Sequence, residues 1–278
     1  ASACACSTVW SEITTRANFA MVSLYLQAHQ NLDGKMNCVR CGSDSQLCLS
    51  HAIPKSFMRG AIRQTGSGKF LEIQEGREST NLSQDDGRWP LLCRNCEDFF
   101  NVNFDNKFDK ECNSIHKKIF NSYISVSSDF IVGFIFSVFW RAHCSQSLRY
   151  KNFSLSDYCD LECILPNFRS SDILRYFDFS IDVLKDDRSI LSFDDICSMV
   201  LFPNRRVSAH HSGVEYFFAG RGLLFSMYSP KLPLLKRRKV KLLSNRKIIP
   251  VSLTNFYDVP DIVRTLTKAV TAELDATG

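Results

Sequence analysis

Two Cys-x-x-Cys pairs, Cys38/Cys41 and Cys93/Cys96, constrain this chain more than any other feature of its sequence. Each pair presents two thiolates from one tight turn, and two such turns furnish the four thiolates of a tetrahedral zinc site. A shell closed by four thiolates leaves no position for a substrate, so the expected metal is structural zinc held by Cys38, Cys41, Cys93 and Cys96. The 51 residues separating the pairs exceed the usual spacing. The stretch from Thr65 to Arg88, rich in Gly, Ser and charge, accounts for the excess as a long hairpin or mobile arm. A compact alternative, Cys38, Cys41, Cys48 and His51, also has zinc-knuckle spacing, but it consumes the histidine and strands the second pair.

Metal is preferred to disulfides because of the setting. Twelve cysteines in 278 residues would suit a disulfide scaffold only in a short secreted chain. The first thirty residues lack a charged start followed by an apolar core and cleavage site, so the expected compartment is a reducing cytoplasm. A hydrophobic content of 45% is enough for a real core. The longest apolar run, Phe130 to Trp140, has 11 residues and then meets Arg141, too short to cross a bilayer and expected to be a core helix. The lone cysteines Cys112, Cys144 and Cys197 read as small buried apolar residues.

Several elements follow from pattern. Phe19, Val22 and Leu26 share a stripe that predicts a helix within 1–34, ended at Gly34. Ser-Ser-Asp at 127–129 caps the Phe130 helix, and Ser-Phe-Asp-Asp at 192–195 has capping-box spacing ahead of a second helix running toward Pro203. Val214 to Ser229 gives two β-rich runs around Ala-Gly-Arg-Gly, a hairpin signal, and Lys239 to Leu253 predicts another around Ser-Asn. Pro260 opens a closing helix with Ile262, Val263, Leu266, Val270 and Leu274 at helical spacing. His29, His116 and His143 read as structural; His210 and His211 precede the hairpin without partner spacing.

Charge is informative where it is located. The segment 231–247 carries eight Lys or Arg and no acid, leaving 26 bases against 29 acids in the rest of the chain. One segment therefore supplies all the positive excess, which predicts a local face for a polyanion, with Lys236, Arg237, Arg238, Lys239 and Lys241 as candidate contacts to nucleic acid.

The stretch "SHAIP" after one Cys-x-x-Cys, followed by "LLCRNCE" and then "FSVFWR", resembles the HNH endonucleases of the His-Me finger (ββα-metal) class that carry a four-cysteine treble-clef zinc, in particular a bacterial subgroup with Ser-His-x-Ile-Pro and Leu-Cys-x-x-Cys-Glu. The resemblance is strongest over 38–108. It implies a zinc-stabilised ββα-metal module (35–112); with the N-terminal helix (1–34) and the mixed helix and β-hairpin region (113–278), read from pattern and composition and carrying the basic segment 231–247, the expected fold is α+β. It implies that His51 is the general base, that Ser50 fills the slot usually held by a metal-binding Asp or His, and that Glu97 matches a metal-ligand position. Asn101, four residues on, shares a helical face with Glu97. Arg88 stands where the family often has an asparagine, and Asp105 is the nearest candidate for a further acidic residue, displaced by about one position.

The chemistry is coherent without the family. Phosphodiester hydrolysis near neutral pH needs a base such as histidine to take a proton from water and a cation to neutralise charge on the phosphate. Oxygen donors such as Glu97 and Asn101 suit Mg²⁺ or Mn²⁺. Lys55 and Arg59 can contact the backbone. The expected function is a metal-dependent endonuclease acting on double-stranded DNA, in restriction or phage defence by family analogy, as a homodimer or with a partner protein. The rival expectations are a zinc-dependent nucleic-acid-binding module with a degenerate site, and a scaffold subunit of a larger complex.

Overall fold

The computed structural model describes residues 37–65, 68–73, 81–83, 87–117, 123–125, 128–150, 153–155, 168–208, 212–237, 239–243, 248–260 and 262–264. The expected helix over 1–34, together with Arg238, His29, His210 and His211, lies outside them, and the closing helix is described only through Arg264. The fold is mixed α+β, and among the described residues no helix is long and apolar enough to cross a membrane.

The apolar run becomes the central helix, α4 (Ser128–Cys144). Every residue from Ile131 to Ala142 is buried, because α4 is covered on two sides. On one side lies a helical stack: α2 (Arg94–Phe100), a π-helical turn (Asn101–Asp105) and α3 (Asn106–Lys117) run on as one rod. Phe108 stacks on Phe134 with ring centroids 4.0 Å apart, and Phe100 stacks on Trp140 at 5.6 Å. Such pairs add about 0.5–1.5 kcal/mol each beyond their buried area. Gly133 permits this approach, since a Cβ there would sit 2.2 Å from the Phe104 ring.

On the other side lies a seven-stranded sheet in the order β11-β6-β9-β8-β7-β2-β3. Its strands are β2 (Phe70–Ile73), β3 (Asn81–Ser83), β6 (Asp178–Lys185), β7 (Met199–Val207), β8 (Val214–Gly220), β9 (Leu223–Ser229) and β11 (Ser252–Asn255). The predicted β8–β9 hairpin is present. Its two-residue turn, Arg221-Gly222, has φ of 53° and 71°, the left-handed pair that matches strand twist. Arg221 then reaches α3, donating to Asp109 Oδ1 at 2.7 Å and Asn113 Oδ1 at 2.6 Å. Phe179, Ile181, Phe218, Phe225 and Met227 face α4, while Leu184, Leu201, Phe217 and Leu224 pack on the far face with Ile196, Phe256 and Ile262.

Three expectations need correction. The described strands within 65–88 are not a free arm. β2 and β3 make the expected hairpin, but β2 also pairs in parallel with β7, and Phe70 and Ile73 are each 1% exposed. The capping box at Ser192 is real, yet its helix α6 (Phe193–Ser198) stops after six residues. Met199 onward continues as β7, since β-branched and aromatic side chains fill a buried sheet surface better than a short helix, and a register shift between Leu201 and Asn204 absorbs Pro203. Among the described residues the second predicted hairpin does not form. β10 (Ile248–Pro250) pairs with β5 (Tyr123–Ser125), and β11 pairs in parallel with β6, so each strand satisfies its backbone groups against a distant partner.

Candidate active site and metal centre

The site is assembled on a two-stranded unit. β1 (Leu47–Ser50) pairs antiparallel with β4 (Trp89–Cys93), with Leu47 opposite Cys93 and Ser50 opposite Trp89. α2 starts directly after β4, so Cys93 ends a strand and Cys96 opens a helix. The first pair lies in a turn where Gly42 takes a φ of +70° and its N–H donates to the Cys38 carbonyl at 2.7 Å. The Val39 N–H donates to the Leu91 carbonyl at 3.2 Å and fastens that turn to β4.

The Sγ atoms of Cys38, Cys41, Cys93 and Cys96 all lie within 4.8 Å of one another. Tetrahedral zinc with Zn–S of about 2.3 Å separates its sulfurs by about 3.8 Å, and Cys41 and Cys93 are 3.8 Å apart. The donor set therefore fits zinc. Cys48 and His51 are not part of the cluster, which sets aside the compact alternative. The four thiols titrate unequally. Burial pushes Cys38 and Cys96 up, whereas at Cys41 hydrogen bonding with Ser43 and the neighbouring cysteines outweighs burial and brings it down to about 6; Cys93 is lowered likewise. A divalent cation held by the four sulfurs would relieve this competition by stabilising all four as thiolates. Arg40 adds positive charge, with Nη1 3.5 Å from Cys96 Sγ and its guanidinium 3.7 Å from the centre of the Phe99 ring.

Beside the cluster opens a cleft of about 1160 Å³, lined by His51, Lys55, Glu97, Asn101, Asp105 and Arg141 among others. His51 follows β1 and is half-buried. Ser50, 2% exposed, donates its hydroxyl to Glu97 Oε2 at 2.7 Å, which ties the end of β1 to α2 and orients the carboxylate. Lys55 and Arg59 are exposed one turn apart on α1 (Lys55–Thr65), and Arg88 is exposed just before β4.

The π-helical turn explains how Asp105 joins the group. Over eight residues an α-helix of 3.6 residues per turn would carry it roughly 80° off the Glu97 line. The wider turn over 101–105 absorbs about one residue and brings Glu97, Asn101 and Asp105 back toward one face. Asn103 supports the distortion by donating Nδ2 to the Phe99 carbonyl at 2.8 Å, competing for an acceptor of the regular ladder.

Arg141 carried no assigned role in the sequence reading. It donates from Nη1 and Nη2 to the two Asp105 oxygens at 3.0 Å each and from Nε to the Ser137 carbonyl at 3.2 Å, while only 1% exposed. Burial pushes the Asp105 carboxyl above the usual carboxylate range, and the Arg141 guanidinium opposes that shift. The available signal was an arginine at the end of an apolar run. A charge placed there is buried and therefore requires a partner.

The basic segment divides. Lys236, Lys239 and Lys241 are exposed, with Lys241 also donating to the Val251 carbonyl at 2.9 Å, whereas Arg237 turns in to Asp178 at 3.1 Å. His143 behaves as the expected structural histidine, accepting the Leu155 N–H on Nδ1 at 3.3 Å.

Comparison with known protein families, curated proteins and solved structures finds no match.

Proposed function

We propose that this chain is a metal-dependent endonuclease of the HNH type that hydrolyses phosphodiester bonds in duplex DNA. The observation that carries the reading is the gathering of His51, Glu97 and Asn101 on one open cleft, next to a four-cysteine cluster on the same β1–β4–α2 unit. Glu97 and Asn101 offer oxygen donors, which suit Mg²⁺ or Mn²⁺ rather than a second zinc. A divalent ion there would neutralise charge on the phosphate and the leaving oxygen.

His51 takes the proton from the attacking water, a role an imidazole can fill near neutral pH. Ser50 holds the Glu97 carboxylate in a fixed orientation. Lys55 and Arg59 receive the backbone phosphates flanking the cleft. One such site cuts one strand, so the reading predicts nicks from a monomer and a double-strand break only from two sites acting together.

The test is nicking of supercoiled plasmid in Mg²⁺ or Mn²⁺ by the wild type and by His51→Ala, with zinc content and fold checked for both. Relaxation of plasmid by the wild type alone supports the reading. Equal relaxation by the variant, or none by a fully zinc-loaded wild type that binds duplex tightly, overturns it in favour of a binding module.

A further inference from the structure

In the segment 231–243 five side chains are engaged with the body of the protein: Lys231, Leu232, Arg237, Lys241 and Leu243. Leu232 and Leu243 are buried, at 3% and 4% exposed. Lys231 Nζ donates to the Leu174 carbonyl at 2.6 Å, and the Leu232 N–H to Asp178 Oδ2 at 2.8 Å. Arg237 pairs with the same carboxylate at 3.1 Å, and the Leu243 N–H donates to the Phe179 carbonyl at 2.7 Å. Between these anchors the short helix α7 (Leu234–Arg237) is closed by Pro233, whose carbonyl accepts from Lys236 and Arg237 at 2.8 and 3.0 Å.

Leu234 and Leu235 contrast with these, at 78% and 77% exposed, although their segment is anchored at both ends and Leu232 and Leu243 are inside. Lys236 and Lys239 stand beside them, exposed, their ammonium groups without a polar contact to another described residue. An apolar pair held outward on a tethered support and followed by two exposed cations suits a side-chain wedge that enters a base step while the cations hold neighbouring phosphates. A bilayer fits less well. Two leucines on a single helical turn present little apolar area, and durable attachment to a membrane needs a larger apolar face or a second anchor.

We propose that Leu234 and Leu235 are a wedge for duplex DNA, inserting at a base step of the minor groove while Lys236 and Lys239 hold the flanking phosphates. The inference rests on the nuclease reading only for the choice of polyanion. It separates the basic segment into cations that hold the protein together (Lys231, Arg237, Lys241) and cations that face the ligand.

The experiment measures binding of the full chain to a short duplex carrying 2-aminopurine, without added Mg²⁺, by anisotropy and by the fluorescence that rises when the base unstacks. Wild type is expected to bind and to raise the fluorescence. L234S/L235S is expected to keep the thermal midpoint, lose the fluorescence rise and bind roughly tenfold more weakly. K236A/K239A is expected to lower the slope of log affinity against log salt by about 1.8, from about 0.9 per phosphate. Unchanged affinity and fluorescence in L234S/L235S overturn the wedge. So does sedimentation of the wild type with phosphatidylserine vesicles that the four substitutions abolish while duplex binding persists, which assigns the surface to lipid. Plasmid nicking measured in parallel separates the two claims. Nicking with wedge-independent binding removes the wedge and leaves the nuclease, and wedge-dependent binding without nicking does the reverse.

Discussion

Replacing Asp105 by alanine tests the ion pair at the floor of the cleft. Arg141 is 1% exposed and directs two of its donors to Asp105 at 3.0 Å, with Ser137 as its other partner. Without the carboxylate a guanidinium remains buried with about half of its hydrogen bonding lost. Breaking a buried pair from one side costs about 3–5 kcal/mol, against a total stability on the order of 5–15 kcal/mol. Urea unfolding followed by circular dichroism and by tryptophan emission reads this directly, since Trp140 stacks on Phe100 one residue from Arg141. The double variant D105A/R141M removes both charges and is expected to recover most of the loss, because an apolar residue of similar volume replaces a pair whose desolvation largely offsets its attraction. A cost below about 1 kcal/mol for D105A at unchanged m would refute the reasoning, as that is the value of a solvated pair. A double variant as unstable as D105A would show that packing, not charge, was lost.

Three further outcomes follow from the geometry. Cys93→Ser should abolish stoichiometric zinc by elemental analysis and lower the thermal midpoint, since binding at a structural zinc site is worth about 10–16 kcal/mol in small zinc-finger peptides and couples directly to folding; unchanged zinc content would transfer the site elsewhere. His143 should make the fold acid-sensitive. Its folded value is pushed down to about 4 by burial against an ordinary 6.5, so the unfolded chain binds the proton first and stability, full above 6.5, declines as pH falls toward 4. With partial exposure discounted the loss is about 2 kcal/mol, and comparing urea midpoints at the two ends of that window with those of His143→Gln isolates it. Gly133→Ala should cost about 1–3 kcal/mol through overpacking against Phe104, with a thermal midpoint equal to wild type arguing that the helices part freely.

The four-cysteine cluster and the central helix were legible because both are local signals. Cys-x-x-Cys needs only one turn to bring its sulfurs together, and an apolar run closed by Arg141 can only be core. The β8–β9 hairpin was legible for the same reason, as Arg221-Gly222 suits a tight turn. What failed was non-local. Nothing near Ser244 and Asn245 reveals that Ile248–Pro250 will find Tyr123–Ser125, because the pairing is decided by an edge contributed from over a hundred residues away. The strand at Met199 escaped notice because a capping box is a strong helix-start signal that says nothing of where the helix ends. Arg237 and Lys241 counted as charges in the sequence, yet their partners Asp178 and Val251 are visible only once the sheet is formed.

The π-helical turn shows why the site depends on both levels at once. The sequence places Asp105 about one residue beyond the face that Glu97 and Asn101 share, and local helical geometry alone would turn it aside. Arg141 reverses that outcome. It is fixed near the end of α4, whose position is set by Phe108 on Phe134 and Phe100 on Trp140, and its fork reaches a carboxylate only if the rod opposite widens by one residue. A turn with poorer backbone geometry is thus held by a buried ion pair and an aromatic interface, and strain of this kind persists where the surroundings over-determine it. Shortening the turn by deleting Val102, which is 62% exposed and so contributes little packing, separates the two contributions. If the ion pair drives the distortion, the deletion restores a regular helix, breaks the Asp105–Arg141 contact and destabilises the fold about as much as D105A. If the rod merely tolerates an extra residue, the deletion stabilises it, and the acidic line along the cleft is an accident of length.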